Sequence, residues 1–93
     1  MAYAETYADI GDKLLRFIQD NLLPDELMAG FGPDTPLLES GILDSLSTAR
    51  LLNFIRDEFG TTVPLSMIDA LSFENVESIV AMIGRIGPVG RSD

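Results

Sequence analysis

The residues best suited to chemistry in this chain form the run Leu43-Asp44-Ser45-Leu46, which joins a loop rich in Pro and Gly to an amphipathic segment. Asp44 is a good helix N-cap, because its carboxylate can accept hydrogen bonds from the free N–H groups of a first turn. Its charge also suits the positive end of the helix dipole. Ser45 then lies in the first turn, where its hydroxyl is accessible and close to a helix end that favours phosphate.

Three roles are open to Ser45. Serine near a helix start is most often structural, since it satisfies free N–H groups. A catalytic nucleophile would need a base, and the chain has no His and no Gly-x-Ser-x-Gly elbow around this residue. The third role is a covalent attachment point, for which a partner enzyme supplies the chemistry.

The composition narrows the classes of function. The chain of 93 residues is the size of one small domain, with no room for a deep active-site cleft. It contains neither Cys nor His, which removes disulfides, thiolate nucleophiles, zinc–cysteine sites and the commonest general base. A net charge of -9 disfavours nucleic acid and anionic membranes. With no membrane-span pattern and no signal-peptide pattern, we expect a soluble, cytoplasmic protein. Because the chain has neither His nor Cys, we expect that it is not an enzyme.

Apolar residues at helical spacing predict the elements that position Ser45. Residues 6–21 form an amphipathic helix capped by Thr6 and closed by Pro24. A long apolar connection, residues 22–43, follows and includes one helical turn near residues 25–28. The next helix, residues 45–59, ends at Gly60. Its apolar residues cannot all lie on one stripe, so part of that surface is exposed; they are Leu46, Ala49, Leu52, Phe54, Ile55 and Phe59.

Two further elements follow. Residues 64–70 predict a short helix, in which Ser66 and Asp69 resemble a capping box. Asn75 caps a last helix that ends near Arg85. The predicted architecture is all-α: a small four-helix bundle of three main helices and one short helix. It forms a single domain of residues 1–93, with an ordered core of about 6–85 and a flexible tail, 86–93.

The run Gly41-Ile-Leu-Asp44-Ser45-Leu46 at the start of an amphipathic helix resembles the modification site of acyl and peptidyl carrier proteins. Upstream, Asp34-Thr-Pro-Leu-Leu-Glu-Ser is similar to the family's loop, and Asn75-Val-Glu-Ser-Ile is similar to the start of its last helix. The likeness covers about Thr6 to Ile83. Asp-Ser-Leu alone is a weak signal, but its place in an acidic helical chain without Cys or His is specific.

The resemblance implies a function. A phosphopantetheinyl transferase would attach 4'-phosphopantetheine covalently to Ser45, and the thiol of that arm would carry acyl or aminoacyl groups as thioesters. Further partners would be a loading enzyme (a ligase, an adenylation enzyme or an acyltransferase) and a downstream synthase or transferase. The carrier would act as a monomer in polyketide or nonribosomal peptide type biosynthesis, such as that of antibiotics, and raise the local concentration of its cargo.

The same resemblance, with helix geometry, predicts a recognition surface. Asp44 would assist the transferase and Leu46 would make the apolar contact next to the arm. Fatty-acid carriers usually present acidic residues on this helix, whereas this chain presents arginines, which indicates a specialised pathway. Gly41-Ile-Leu-Asp-Ser is also similar to aminoacyl carriers, including D-alanine carriers. The remaining predicted recognition residues are Ala49, Arg50, Asn53, Arg56, Met67 and Ile68.

Other functions stay open on the sequence alone. An unmodified helical adaptor that binds a partner helix would not need the Ser45 hydroxyl at all. A domain phosphorylated at Ser45 has little support, since the adjacent Asp44 is acidic and no basic residue stands just before the serine. A calcium binder has less, because no Asp-x-Asp-x-Asp-Gly loop is present.

Overall fold

The computed structural model describes residues 7–86, and within that range the chain forms three α-helices. Helix α1 spans Tyr7–Asn21, α2 spans Ser45–Phe59 and α3 spans Val76–Ile86. Single 3-10 turns, Asp25–Leu27 and Leu65–Met67, lie in the two connections. No strand occurs in this part of the chain, and none of its helices has the length and apolar character needed to cross a membrane.

Helix α1 forms because its apolar residues share one face. Ile10, Leu14 and Ile18 are spaced four residues apart, and all three are buried. The helix ends where the Leu23 N–H group donates to the Ile18 carbonyl oxygen at 2.9 Å, one residue before a proline. The predicted helix over residues 6–21 is confirmed within the described range.

Helices α1 and α3 pack closely along their apolar faces. A side chain added at Gly11 would meet Cγ2 of Val80 at 3.7 Å, so the small residue allows the two helices to approach each other. The apolar residues of α3 recur at three- and four-residue steps and are buried, so they form the α3 side of this contact. The buried residues of α3 are Val76, Ile79, Met82 and Ile83.

The contact between α1 and the C-terminal half of α2 is aromatic and ionic. The rings of Phe17 and Phe54 stack with centroids 4.3 Å apart, and Phe59 meets Phe54 edge-on at 5.7 Å. Beside them, Nζ of Lys13 lies 3.0 Å from a carboxylate oxygen of Glu58. These contacts attach the end of α2 that is farther from Ser45 to the neighbouring helix.

The long connection before α2 is held to the start of α3 by its backbone. The N–H of Leu37 donates to the carbonyl of Glu74 at 2.8 Å, and the N–H of Glu77 donates to the carbonyl of Pro33 at 3.1 Å. We call this pair of hydrogen bonds the loop clamp. The Leu37 side chain is fully buried, and its carbonyl accepts from the N–H of Leu43 at 3.0 Å. The connection is therefore an ordered part of the bundle.

The predicted short helix over residues 64–70 is wrong in extent, because only a 3-10 turn forms there. Ile68 leaves the helical region, with φ -88° and ψ 84°. The predicted capping box of Ser66 and Asp69 is not seen either. Instead, Asp69 Oδ1 accepts from the Ser72 N–H at 2.8 Å and begins the next turn, which ends in the buried Phe73. The bundle therefore has three α-helices, and the fourth element is a single turn.

The last helix agrees with its prediction. Asn75 Oδ1 accepts from the Ser78 N–H at 2.8 Å, which is an N-cap geometry. The helix ends at Ile86, one residue beyond the predicted end. The predicted cap Thr6 lies outside the described residues, as does the predicted tail apart from Ile86.

Candidate functional site

The start of α2 is built around the Asp44 side chain. Asp44 has extended backbone angles (φ -126°, ψ -167°), and its Oδ1 accepts from the Ser47 N–H at 2.8 Å. This hydrogen bond favours the carboxylate and lowers the pKa of Asp44 below its ordinary value of 3.8. The predicted N-cap is confirmed, and Ser45 becomes the first residue of the helix.

Ser45 is exposed, and among residues 7–86 its hydroxyl makes no hydrogen bond to another group. Its backbone position is nevertheless restricted, because the two residues before Asp44 are anchored in the core. Ile42 is 2% exposed and Leu43 is 3% exposed. The arrangement holds the serine backbone in place and leaves its hydroxyl oxygen open to solvent.

Gly41 turns the chain toward these two anchors. Its φ is +83°, in the left-handed region that side-chain-bearing residues rarely adopt. The N–H of Gly41 donates to the Leu38 carbonyl at 3.2 Å and closes the turn. A glycine at this position is therefore a structural requirement of the loop that leads to Ser45.

Helix α2 has one buried and one exposed face. Leu51 and Ile55 have no solvent exposure and face the core. Sequence reasoning did not select Leu51, although its spacing of four residues from Ile55 is a detectable signal. Leu46, predicted to contact partners, is 69% exposed. The other predicted recognition residues of α2, all exposed, are Ala49, Arg50, Asn53 and Arg56.

The two predicted recognition residues outside α2 are only partly exposed. Met67 and Ile68 are half-buried and pack against the core. Two leucines of the same connection are far more exposed: Leu65 at 84% and Leu71 at 79%. The sequence did not predict the exposure of these two leucines. Neither lies in an amphipathic helix, whose pattern would show which side faces solvent.

Comparisons with known proteins show which family this chain resembles. Residues 13–83 match the family model described as "Phosphopantetheine attachment site". Over 74 residues the chain is 32% identical to the "Probable acyl carrier protein PigG" of Serratia sp. (strain ATCC 39006), covering 80% of this chain and 84% of that protein. It is also 40% identical over 48 residues to the "D-alanyl carrier protein" of Bacillus velezensis, covering 52% of this chain and 62% of that protein.

One solved structure adds a similar fold. A chain in a structure titled "Crystal structure of FAD-dependent dehydrogenase" superposes with a TM-score of 0.70 and 40% sequence identity. The match covers 75% of this chain and 97% of that chain, so that chain is the shorter of the two.

The matches and the geometry lead to one family. Carrier proteins of this kind hold 4'-phosphopantetheine covalently on a serine, tether acyl or aminoacyl groups as thioesters, and interact with phosphopantetheinyl transferases and acyl-handling enzymes without catalysing the reactions themselves. With its three-helix bundle and its family match across residues 13–83, the chain belongs to the phosphopantetheine-binding family of acyl and peptidyl carrier proteins.

Proposed function

We propose that Ser45 is the serine that carries the phosphopantetheine arm in this chain. The observation that supports this assignment best is the combination of a hydroxyl without a hydrogen bond and a backbone held by its neighbours, at the first residue of a capped helix. A phosphodiester at this position would lie at the electropositive end of α2. When bound, the arm supplies one thiol, which forms thioesters with carboxylic acids.

The loading step is a phosphoryl-type transfer to the serine oxygen. Ser45 Oγ forms a bond to the phosphorus that bears the pantetheine group of coenzyme A. The bond between that phosphorus and the bridging oxygen breaks, and 3',5'-adenosine diphosphate leaves. The serine proton passes to a base on the transferase, since this chain has no histidine to accept it. The carrier contributes a fixed position for the hydroxyl, which lowers the entropic cost of alignment.

The absence of cysteine makes the test quantitative. Purified protein is incubated with coenzyme A, Mg²⁺ and a promiscuous phosphopantetheinyl transferase. The carrier is then separated from the transferase and from coenzyme A, which has a thiol of its own, and the thiols of the carrier are titrated. We expect one thiol per chain in the wild type, because the unmodified protein has none. Intact mass spectrometry should show the same single addition.

The controls are two serines of the same helix. The Ser45→Ala variant should gain no thiol, whereas Ser47→Ala should be modified like the wild type. Ser47 is half-buried, and its larger contribution to the cap is made by its backbone N–H, which the substitution keeps, whereas the smaller one of its side chain is lost. Modification of Ser45→Ala would show that another serine is the acceptor. No modification of folded wild type would favour the unmodified adaptor.

We also propose a small cargo, loaded by a ligase, an adenylation enzyme or an acyltransferase. The support is similarity to carriers named for two cargo classes: an acyl carrier and D-alanyl carriers. Loading would take place in the cytoplasm, where coenzyme A is available, on a monomeric carrier. A downstream synthase or transferase of a polyketide or nonribosomal peptide pathway would take the cargo. Recognition would involve Asp44 and the predicted surface residues described above, including Met67 and Ile68.

A specific observation favours one further partner: a flavin-dependent dehydrogenase. The similar chain in the dehydrogenase structure is shorter than this one. It is too short to contain a dinucleotide-binding fold, which is built from two βαβαβ halves. A chain of carrier size in a structure named for such an enzyme supports the proposal that this chain presents its cargo to a flavin-dependent dehydrogenase.

The chemistry suits a thioester. The thioester carbonyl acidifies the C–H bond at the α carbon, so a base on the enzyme can remove that proton. The FAD of such an enzyme would accept a hydride from the β carbon, so that a carbon–carbon double bond would form in the cargo, and molecular oxygen or another electron acceptor would take up the two electrons.

The dehydrogenase of that structure serves as the probe. Short acyl and aminoacyl groups are loaded onto Ser45 from their coenzyme A thioesters and mixed with the enzyme under anaerobic conditions. Flavin bleaching with a loss of two hydrogen atoms from the cargo supports the proposal. The proposal is overturned if the flavin bleaches with cargo on the 40% identical chain of that structure but with none of the cargoes on this chain.

A further inference from the structure

The side of α2 that points away from the core carries a defined set of residues. Counting from Leu46, steps of three and four residues reach Ala49 and Arg50, then Asn53, then Arg56 and Asp57. All six are exposed, whereas Leu51 and Ile55 on the opposite side are fully buried. We call Leu46, Ala49, Arg50, Asn53, Arg56 and Asp57 the outer face.

The outer face differs in charge from the rest of the chain. The whole protein has fifteen acidic and six basic residues, yet the outer face has two arginines and one carboxylate, that of Asp57. The two acidic residues of α2 each lie close to a basic side chain. Glu58 pairs with Lys13 of α1 at 3.0 Å, and Asp57 Oδ1 lies 3.8 Å from Nε of Arg56.

Arg50 is the charge on this face without such a neighbour. Within residues 7–86 its guanidinium forms no ion pair and no hydrogen bond. It is one turn away from Leu46, at the spacing that places two side chains side by side on a helix. Arginine is one of the residue types enriched at interface centres, where a few side chains contribute most of the binding energy.

Resting on the proposed role of Ser45, we infer that the outer face docks to enzyme surfaces that present an apolar depression to Leu46 and a carboxylate to Arg50. Arg–carboxylate pairing is directional and often bidentate, so it also orients the carrier on its partner. A lysine- or arginine-lined surface is the wrong partner, because like charges at an interface oppose binding. The overall charge of -9 attracts basic surfaces from a distance, and the outer face rejects them on contact.

A charge-swap experiment on the loading reaction tests this inference. The probe is a phosphopantetheinyl transferase with a basic docking surface, used beside a variant in which one docking arginine is replaced by glutamate. The rate constant kcat/KM for modification of Ser45 is measured with wild-type carrier and with Arg50→Glu. We expect wild type to prefer the acidic variant, and Arg50→Glu to prefer the original enzyme by about tenfold.

Arg16→Glu is the matched control, because it makes the same change in net charge on the exposed side of α1. After circular dichroism shows that it is folded, it should keep the preference of the wild type to within about twofold. The inference is overturned if wild type prefers the basic enzyme or if Arg50→Glu behaves like Arg16→Glu. Failure of the proposed function looks different: no variant, wild type included, would then gain the arm from either enzyme.

Discussion

The backbone N–H of Leu37 donates to the carbonyl oxygen of Glu74 at 2.8 Å, and the Leu37 side chain is fully buried at the same point. Through this contact the loop that leads to Ser45 is joined to the start of α3. The position of the serine therefore depends on a residue that is eight positions away in sequence and is buried in the core.

Truncation of this anchor should destabilise the protein. We expect Leu37→Ala to lower the free energy of unfolding by about 2–5 kcal/mol, because it removes buried apolar atoms and leaves a cavity. Leu38→Ala is the control: the next side chain is 41% exposed and should change stability by less than about 0.5 kcal/mol. Urea denaturation followed by circular dichroism measures both, and equal effects would show that the loop does not depend on this anchor.

Two loop glycines allow backbone strain to be separated from crowding. A Cβ added at Gly30 or at Gly41 would meet nothing within 4 Å, but only Gly41 has a positive φ, +83°. Gly41→Ala should cost about 1–2 kcal/mol, the penalty of a left-handed conformation for a residue with a side chain. Gly30→Ala should be neutral or slightly stabilising. Thermal unfolding of both variants tests the difference, and a neutral Gly41→Ala would contradict it.

The stacked rings of Phe17 and Phe54 should be energetically coupled. A double-mutant cycle with Phe17→Leu and Phe54→Leu keeps apolar character at both positions and removes the stacking. We expect a coupling energy of about 0.5–1.5 kcal/mol, the usual range for aromatic pairs. Chemical denaturation of the four proteins gives the value, and simple additivity would show that the two rings contribute only by burial.

The cap of α2 should make stability sensitive to acid. The hydrogen bond from Ser47 holds the pKa of Asp44 below 3.8, so the folded state binds this proton less readily than the unfolded state does. The stabilisation is therefore complete above the ordinary pKa and is lost as the pH falls through the lowered one. Asp44→Asn keeps a side-chain oxygen for the cap and cannot titrate. Its unfolding free energy should fall less than that of wild type below pH 3.8.

A contribution from Asp69 must be measured separately in that experiment. The Ser72 N–H lowers the pKa of Asp69 in the same way, and the same sign of pH dependence follows. An Asp69→Asn variant, alone and with Asp44→Asn, separates the two carboxylates. Parallel pH profiles for wild type and the double variant would contradict this assignment of acid sensitivity to the two caps.

Periodicity and cap residues were sufficient to predict the three main helices and the role of Asp44. These depend on neighbours within four residues, which a sequence displays directly. The segment 64–70 was mispredicted, because Asp69 bonds to the residue three positions after it, and the burial of Phe73 favours that alternative. Local helix propensity alone does not show that this turn is favoured over a continued helix.

The loop clamp lay beyond sequence reasoning for a related reason. It joins Pro33 and Leu37 to backbone atoms of residues 74 and 77, and backbone groups leave no signature in side-chain patterns. Likewise, the exposure of Leu65 and Leu71 depends on how one turn lies on the bundle. The motif was enough to select Ser45, but the reason its position is restricted required coordinates.

Helix α2 has fifteen residues and is therefore about 22 Å long. If only its C-terminal end were attached, a tilt of about 5° would swing the other end by roughly 2 Å at this length. The aromatic stack holds one end, and the buried Ile42 and Leu43 restrain the other, so α2 does not act as a lever. The pivot of the proposed arm is then a fixed point. The reach of the cargo equals the length of the arm, and each partner must place its active site within that radius of the surface that α2 contacts.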